Sequence, residues 1–454
     1  MLNCSYLPRI LYHITIPVFR NARLLPAPTR TKKWPVMFFS HGLGGSRNAY
    51  SHLLGSLSSH GVVVVAPDHR DGSAPMALIR GAKEEEKVMR VEYRSMPHTT
   101  SREVEEGRNE QLRIRLWELG LAHDAMLKIE RGEEIVNLAA ETRQSLDHNL
   151  SMFRSSLNVQ EPGSITWAGH SFGAATVLQF VKSVFWRSSV QNRCPDPYPA
   201  DYQPLYTPSS DPSIIHQITP ESPVTLLDLW TLPLRGNPTR WLWSKPLPCY
   251  APNGPGGVNL LAILSEAFYK WRGNLVQTKK ALSSDPSSRH PAQLSRPGPR
   301  IFYPVASAHL SQSDFGVLFP FVTKKVFKAD NPERTLRLNT RAILQVMREN
   351  GIEVADTSRI DMEEEELADK VENGANGHLN GHVNGVVPKD GGYAAKQDRK
   401  ILATDGNVKG WIALDVDEND FAKSTNGVTD AEAMPGEAVM KGEVMSGDSE
   451  RERL

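Results

Sequence analysis

An α/β fold built on a mostly parallel central sheet is what this 454-residue sequence predicts, and three observations carry that reading. Short apolar runs alternate with helix-like stretches from Trp34 to about Gly351, the element order that a parallel sheet with crossover helices requires. The apolar runs are nearly unbroken rather than alternating, as expected of strands covered on both faces. Each run also ends in small or polar residues, where a strand hands the chain to a loop.

Taken in order, the expected strands are "PVMFFSHG" (35–42), "GVVVVAPDH" (61–69), "SITWAGHS" (164–171), "VTLLDLW" (224–230), "NLLAILSE" (259–266) and "RIFYPVASAH" (300–309). Between the second and third, "NEQLRIRLWELGLAHDAMLKI" (109–129) sets Leu112, Leu116, Leu119, Ala122 and Leu127 near helical spacing. Residues 187–222 are rich in Pro, Ser, Asp and Tyr and read as a long surface insertion. Beyond "DMEEEE", residues 361–454 are rich in Gly, Asn, Asp, Glu and Lys and show no periodicity, so the tail is expected to be disordered and dispensable. The expected organisation is therefore an apolar N-terminal segment 1–33, a catalytic domain 34–351 and that tail. His378 and His382 lie in "NGHLNGHVNG" with no acid or cysteine placed to complete a metal site, and read as part of a solvated tract.

The formal net charge of +0 gives no basis for a nucleic-acid partner. Cys4, Cys194 and Cys249 are odd in number and far apart, which argues against a disulfide framework and for a reducing compartment. The N-terminal stretch is broken by Pro8, Arg9, Pro17 and Arg20, unlike a signal peptide. No run approaches the roughly 20 apolar residues of a spanning helix. The expectation is a cytoplasmic protein without a transmembrane segment, touching membranes peripherally. Two stretches could supply that contact, 6–19 and "LWTLPLRGNPTRWLW" (229–243), where Trp230, Trp241 and Trp243 lie among leucines and arginines. The competing reading is that both cover the core.

The chemistry is concentrated in "GHSFG" (169–173), between an apolar run and a helix-like run. G-x-S-x-G at a strand-to-helix junction is the nucleophile elbow of α/β-hydrolases, in which flanking glycines admit a serine on a strained turn. Ser171 would be the nucleophile. A serine hydroxyl needs a base, and in this fold the chain order is Ser, acid, His. His216 falls in the Pro-rich insertion and His290 in a polar loop, whereas His309 follows an expected strand at the sheet's carboxyl edge, the edge that carries Ser171. His309 is the candidate base. Asp228 and Glu266 both end expected strands, and the residues alone leave the acid open between them. Oxyanion donors are expected from the N–H of Phe172, next to the serine, and from the Gly-rich loop "SHGLGG", with Leu43 as donor. His69 and Arg70 in "DHRDGSA" read as loop residues framing the cleft, or as partners in an Arg–Asp pair.

Together, "WPVMFFSHGLGGSRNAYSHLLGSLSSHGVVVVAPDHRDGSAP", "RNEQLRIRLWEL" and "GHSFGAAT" resemble the platelet-activating factor acetylhydrolases, calcium-independent phospholipases A2 of the α/β-hydrolase fold, in their fungal form. The resemblance runs from roughly Tyr6 to Gly351. It implies Ser171 as nucleophile, Asp228 as acid (from "LLDLW"), His309 as base (followed by "SDF") and Leu43 and Phe172 as oxyanion donors; Glu266 matches a non-catalytic position. It also implies cleavage of the sn-2 ester of phospholipids resembling platelet-activating factor, with no metal and no cofactor. Departures are the 187–222 insertion, Ala174 in place of a glycine, and the absence before Trp34 of the strands other members carry, from which a shortened start is expected. Two rival readings share the same residues: another serine carboxylesterase or lipase, and a non-catalytic lipid-binding protein derived from a hydrolase.

Overall fold

The computed structural model describes residues 22–81, 87–97, 101–135, 150–187, 204–208, 212–287, 297–358, 398–406 and 408–416, with a few isolated positions besides. In chain order the elements that position the site are β1 (Trp34–Ser40), α1 (Ser51–Ser59), β2 (Val63–Val65), a hairpin of β3 (Met76–Ile79) and β4 (Met89–Glu92), and α2 (Arg102–Arg131). Then come β5 (Leu157–Asn158), β6 (Thr166–His170), α3 (Phe172–Phe185), α4 (Pro212–Gln217), β7 (Val224–Leu227), α5 (Asn237–Trp243) and β8 (Leu260–Ile263). The chain continues through α6 (Glu266–Lys270), α7 (Arg272–Leu282), β9 (Arg300–Pro304), α8 (Asp314–Leu318), α9 (Pro320–Phe327), α10 (Pro332–Glu349) and β10 (Trp411–Leu414).

The main sheet runs β10-β9-β8-β7-β6-β1-β2, with β5 paired to the start of β1. From β2 to β9 all pairings are parallel, and each of the six expected strands is present. Side chains alternate between two cores because successive residues of a strand point to opposite faces. Val36, Phe38, Trp167, Leu226 and Ala262 meet α2, α3 and α7 on one face. Met37, Phe39, Ala168, Leu227 and Ile263 meet α1 and α10 on the other. Phe38 and Trp167, in register across β1 and β6, stack with centroids 4.9 Å apart.

Strand order reverses between β1 and β6: the chain moves outward to β2, then returns to the other side of β1. Open parallel sheets bind ligands at such a switch point, at the carboxyl ends of the strands. Helix α2 reaches that edge intact over 30 residues because both its ends are well terminated. Ser101 accepts from Val104 N–H at its start beside Glu103 and Glu105, and Gly132 closes it with φ of 75° after Lys128 and Arg131.

Three expectations are corrected. The tail is not without structure between Asp398 and Val416: β10 adds an antiparallel edge to β9, and Ile401, Val408 and Trp411 are buried. Its polar composition hides a short apolar strand, "WIAL", that buries its surface only against β9 and α10. The 187–222 stretch is not all surface, since Leu205, Ile214 and Ile218 join the core, while 188–203 lie outside the described residues. The 229–243 segment is not an interfacial patch, because Trp230, Trp241 and Leu242 are buried and Trp243 packs partly buried against the same core. Most of 6–19 lies outside the described residues, as do His290, His378 and His382.

Candidate active site

Strand β6 delivers the chain to Ser171, whose φ of 56° and ψ of −115° turn it directly into α3. The turn is held from both sides: Ser171 N–H donates to the Leu227 carbonyl (2.8 Å), and its own carbonyl accepts from Ala175 N–H (3.1 Å). Both flanking glycines are required by space. A Cβ at Gly173 would lie 1.9 Å from the Ser40 carbonyl oxygen, and one at Gly169 would lie 2.5 Å from the Gly173 backbone. The side chain of Ser171 is buried, and its hydroxyl makes no hydrogen bond among the described residues.

His309 opens the short turn after β9, and its Nδ1–H donates to Asp228 Oδ2 at 2.8 Å, leaving the lone pair on Nε2. Asp228 is wholly buried at the end of β7 with φ of 44°; its N–H donates to Ile263 O, and its second carboxylate oxygen accepts from Ser265 N–H. Those donors stabilise a buried carboxylate that would otherwise be costly. The His309 ring is clamped between Phe268, stacked at 4.5 Å, and the His170 ring at 4.4 Å. Glu266, the alternative acid, is engaged elsewhere. It accepts from Ala306 N–H and pairs with Lys270, whose hydrogen bond holds the Glu266 carboxyl below its usual range. It braces the loop leading to His309 and does not bond to the imidazole.

Leu43 and Phe172, the expected oxyanion donors, lie beside residues whose own hydrogen bonds fix the local backbone. Gly42 N–H donates to the Tyr50 hydroxyl (2.9 Å) and Gly44 N–H to Ser73 O (2.7 Å), while the N–H groups of Leu43 and Phe172 enter no backbone pairing among the described residues. Arg115, fully buried on α2, fastens the loop: it donates to His41 O (2.8 Å) and to Asp71 Oδ2 (2.7 Å), and its guanidinium lies 4.4 Å from the Phe172 ring centroid. Burial alone would raise the Asp71 carboxyl, but Arg115, His69 and Ser73 together bring it down to about 2. The Arg–Asp pair read around "HRD" is thus Arg115–Asp71; Arg70 is exposed, and its N–H donates to Glu118. His69 bridges Ser40 Oγ and Glu118, where burial pushes the His69 imidazole down and the Glu118 carboxyl up to about 7.

Two residues given no role from the sequence stand in the centre. Tyr50 OH, accepting from Gly42 N–H, donates to His170 Nδ1 (2.9 Å), which leaves Nε2–H of His170 facing Asp228 Oδ2 at 4.0 Å. Burial first, and His309 second, hold His170 well below its usual pKa and keep it neutral. His170, Asp228 and His309 bring donor atoms within 4.8 Å of one another, a spacing a metal ion could use. Here His309 Nδ1 and Asp228 Oδ2 are committed to each other, while His170 Nε2 makes no hydrogen bond among the described residues. The only signal for these partners in the sequence was the variable position of the "GHSFG" elbow itself.

A serine on a strained strand-to-helix turn, with an Asp–His pair at the carboxyl edge of a parallel sheet, defines an α/β-hydrolase. Residues 5–194 match the family model described as platelet-activating factor acetylhydrolase, isoform II. A Schizosaccharomyces pombe protein with a provisional phospholipase A2 name is 28% identical over 76% of this chain and 73% of its own length. The platelet-activating factor acetylhydrolase of Bos taurus is 34% identical over 37% of this chain, a match spanning only 35% of that enzyme. The corresponding Gallus gallus enzyme is 27% identical over 61% of this chain and 53% of its own. The resemblance to the platelet-activating factor acetylhydrolases read from the sequence is shown by these matches.

Proposed function

We propose that the protein is a lipid ester hydrolase that cleaves the sn-2 acetyl or short acyl ester of phospholipids resembling platelet-activating factor, through an acyl-enzyme on Ser171. The observation that carries the reading is the 2.8 Å bond from His309 Nδ1 to a wholly buried Asp228, on the same sheet edge as the unpaired Ser171 hydroxyl. Asp228 fixes the His309 tautomer, so Nε2 takes the Ser171 proton as Oγ attacks the acyl carbonyl, and Asp228 stabilises the imidazolium that forms. The Leu43 and Phe172 amides receive the developing oxyanion, each worth on the order of 10²–10³ in rate. His309 then gives the proton to the departing lyso-phospholipid, and water, activated by the same imidazole, releases the acyl group. The names of the matched relatives support a phospholipid substrate. No helix among the described residues is long and apolar enough to cross a membrane, and the enzyme is read as acting on lipid from a peripheral position.

The test is labelling by a fluorophosphonate, with hydrolysis of sn-2 acetyl against sn-2 long-acyl phosphatidylcholine and a Ser171→Ala control. Labelling lost in Ser171→Ala, with preference for the acetyl ester, is the expected result. A wild-type chain that neither labels nor hydrolyses would leave the lipid-binding alternative in its place.

A further inference from the structure

The mechanism above gives no task to His170, although it stands in the centre of the site. The side chain is buried and neutral, and its Nε2 makes no hydrogen bond among the described residues. A buried N–H left unpaired is costly, and one kept beside reacting groups needs a physical account. Its direction is imposed by a neighbour. Tyr50 OH accepts from Gly42 N–H at 2.9 Å and donates its only proton to His170 Nδ1 at 2.9 Å, so the ring's own proton sits on Nε2. That nitrogen faces Asp228 Oδ2 at 4.0 Å, the same oxygen that accepts from His309 Nδ1 at 2.8 Å. The two imidazole rings lie 4.4 Å apart at 32°.

Resting on the ester-hydrolase reading, we propose that His170 is a positioning residue for the Asp228–His309 pair, its Nε2–H closing on Asp228 Oδ2 as His309 tilts between Ser171 and the leaving oxygen. The imidazole serves two oxygens in turn, first taking the Ser171 proton and then delivering it, and each tilt bends its bond to Asp228. Asp228 Oδ1 is already held by Ser265 N–H, so Oδ2 is the end of the carboxylate that is drawn along with the ring. A carboxylate oxygen offers two lone-pair sites, and Oδ2 can take a second donor without releasing the first. The 4.0 Å gap is too long for a hydrogen bond in the resting site, and a movement of about 1 Å closes it. The His309 ring lies between His170 and Phe268, which stacks on it at 4.5 Å and 13°. A tilt within the ring plane is open to it, and a swing out of that plane is not.

The experiment compares His170→Asn with His170→Gln in the full chain, with p-nitrophenyl acetate as substrate. An Asn side chain reaches as far as Nδ1 and still accepts from Tyr50, whereas a Gln side chain reaches Nε2 and still donates to Asp228. Both remove the ring, so the ratio of the two isolates the N–H. His170→Gln is expected to keep a kcat about 10- to 100-fold above that of His170→Asn, the effect of a hydrogen bond to a charged group, with KM and melting temperature alike in the two. A purely structural role does not separate them: equal kcat values, the reverse ranking, or a difference confined to KM overturns the proposal. Should either variant fail to fold, nitrogen-15 histidine spectra of the wild type and Tyr50→Phe decide. A proton on Nε2 of the histidine whose resonances Tyr50→Phe shifts supports the proposal; a proton on Nδ1, or no shift, overturns it. A wild type that neither hydrolyses this ester nor labels with a fluorophosphonate overturns the ester-hydrolase reading, and the proposal falls with it. An active wild type with indistinguishable variants overturns the proposal alone.

Discussion

Replacing Trp411 with alanine tests whether the tail is part of the folded unit. Trp411 is 2% exposed, stacks on Phe302 of β9 at 5.3 Å and 13°, and donates from Nε1 to the Ile401 carbonyl at 2.8 Å. A buried tryptophan cut to alanine costs about 3–5 kcal/mol in transfer and cavity terms. At roughly 2 °C per kcal/mol for a domain of this size, the melting temperature should fall by about 6–10 °C. Asp398→Asn should cost a similar amount, because Asp398 and Arg341 form a buried bidentate pair (2.5 and 3.0 Å) and the guanidinium would lose its counter-ion. Trp117, 57% exposed on α2, supplies the control: Trp117→Ala should stay within about 0.5 kcal/mol of wild type. Calorimetric melts of the full chain and the three variants read all of this. A Trp411→Ala shift no larger than that of Trp117→Ala would refute the reasoning and return residues 398–416 to the status of a dispensable tail.

Three further outcomes are expected. Asp228→Asn should lower turnover by about 10⁴ with an unchanged melting temperature, because the wrong His309 tautomer is then favoured; Glu266→Gln should leave turnover far closer to wild type, and the reverse ranking in steady-state assays would reassign the acid. Tyr50→Phe removes the hydroxyl shared by Gly42 N–H and His170 Nδ1, so kcat should drop with little change in KM; an effect confined to KM would show that Tyr50 does not position the oxyanion loop. Glu118, raised to about 7 in the fold from an ordinary carboxyl value of 4.5, binds its proton more tightly folded than unfolded. Its contribution is therefore complete below pH 4.5 and is lost as pH rises to 7, by about 3 kcal/mol. Glu118→Gln, a fixed mimic of the neutral acid, should flatten that slope in denaturant melts across this range, and an unchanged slope would place the proton elsewhere.

What the sequence determined by itself is what neighbours along the chain determine. Unbroken apolar runs form β1, β2, β6, β7, β8 and β9, the 109–129 periodicity lies within α2, and two glycines around Ser171 mark a turn whose close approach to Ser40 admits no side chain. His309 was singled out because it follows a strand, and β9 does deliver it to the edge where Ser171 sits. The choice between Asp228 and Glu266 could not be read the same way, since both end strands; which carboxylate meets an imidazole 81 residues from Asp228 depends on how the loops after β7, β8 and β9 fold together. The same reason hid Tyr50 from His170, Asp71 from Arg115 and Asp398 from Arg341, all pairs joined across at least 44 residues. It hid β10 as well, because four apolar residues within a polar tail gain little until β9 offers an open edge and Phe302 a ring to stack on. Local pattern reports the backbone's preference and one face of burial, while the partners of buried charges are chosen only when distant segments close over them and exclude water.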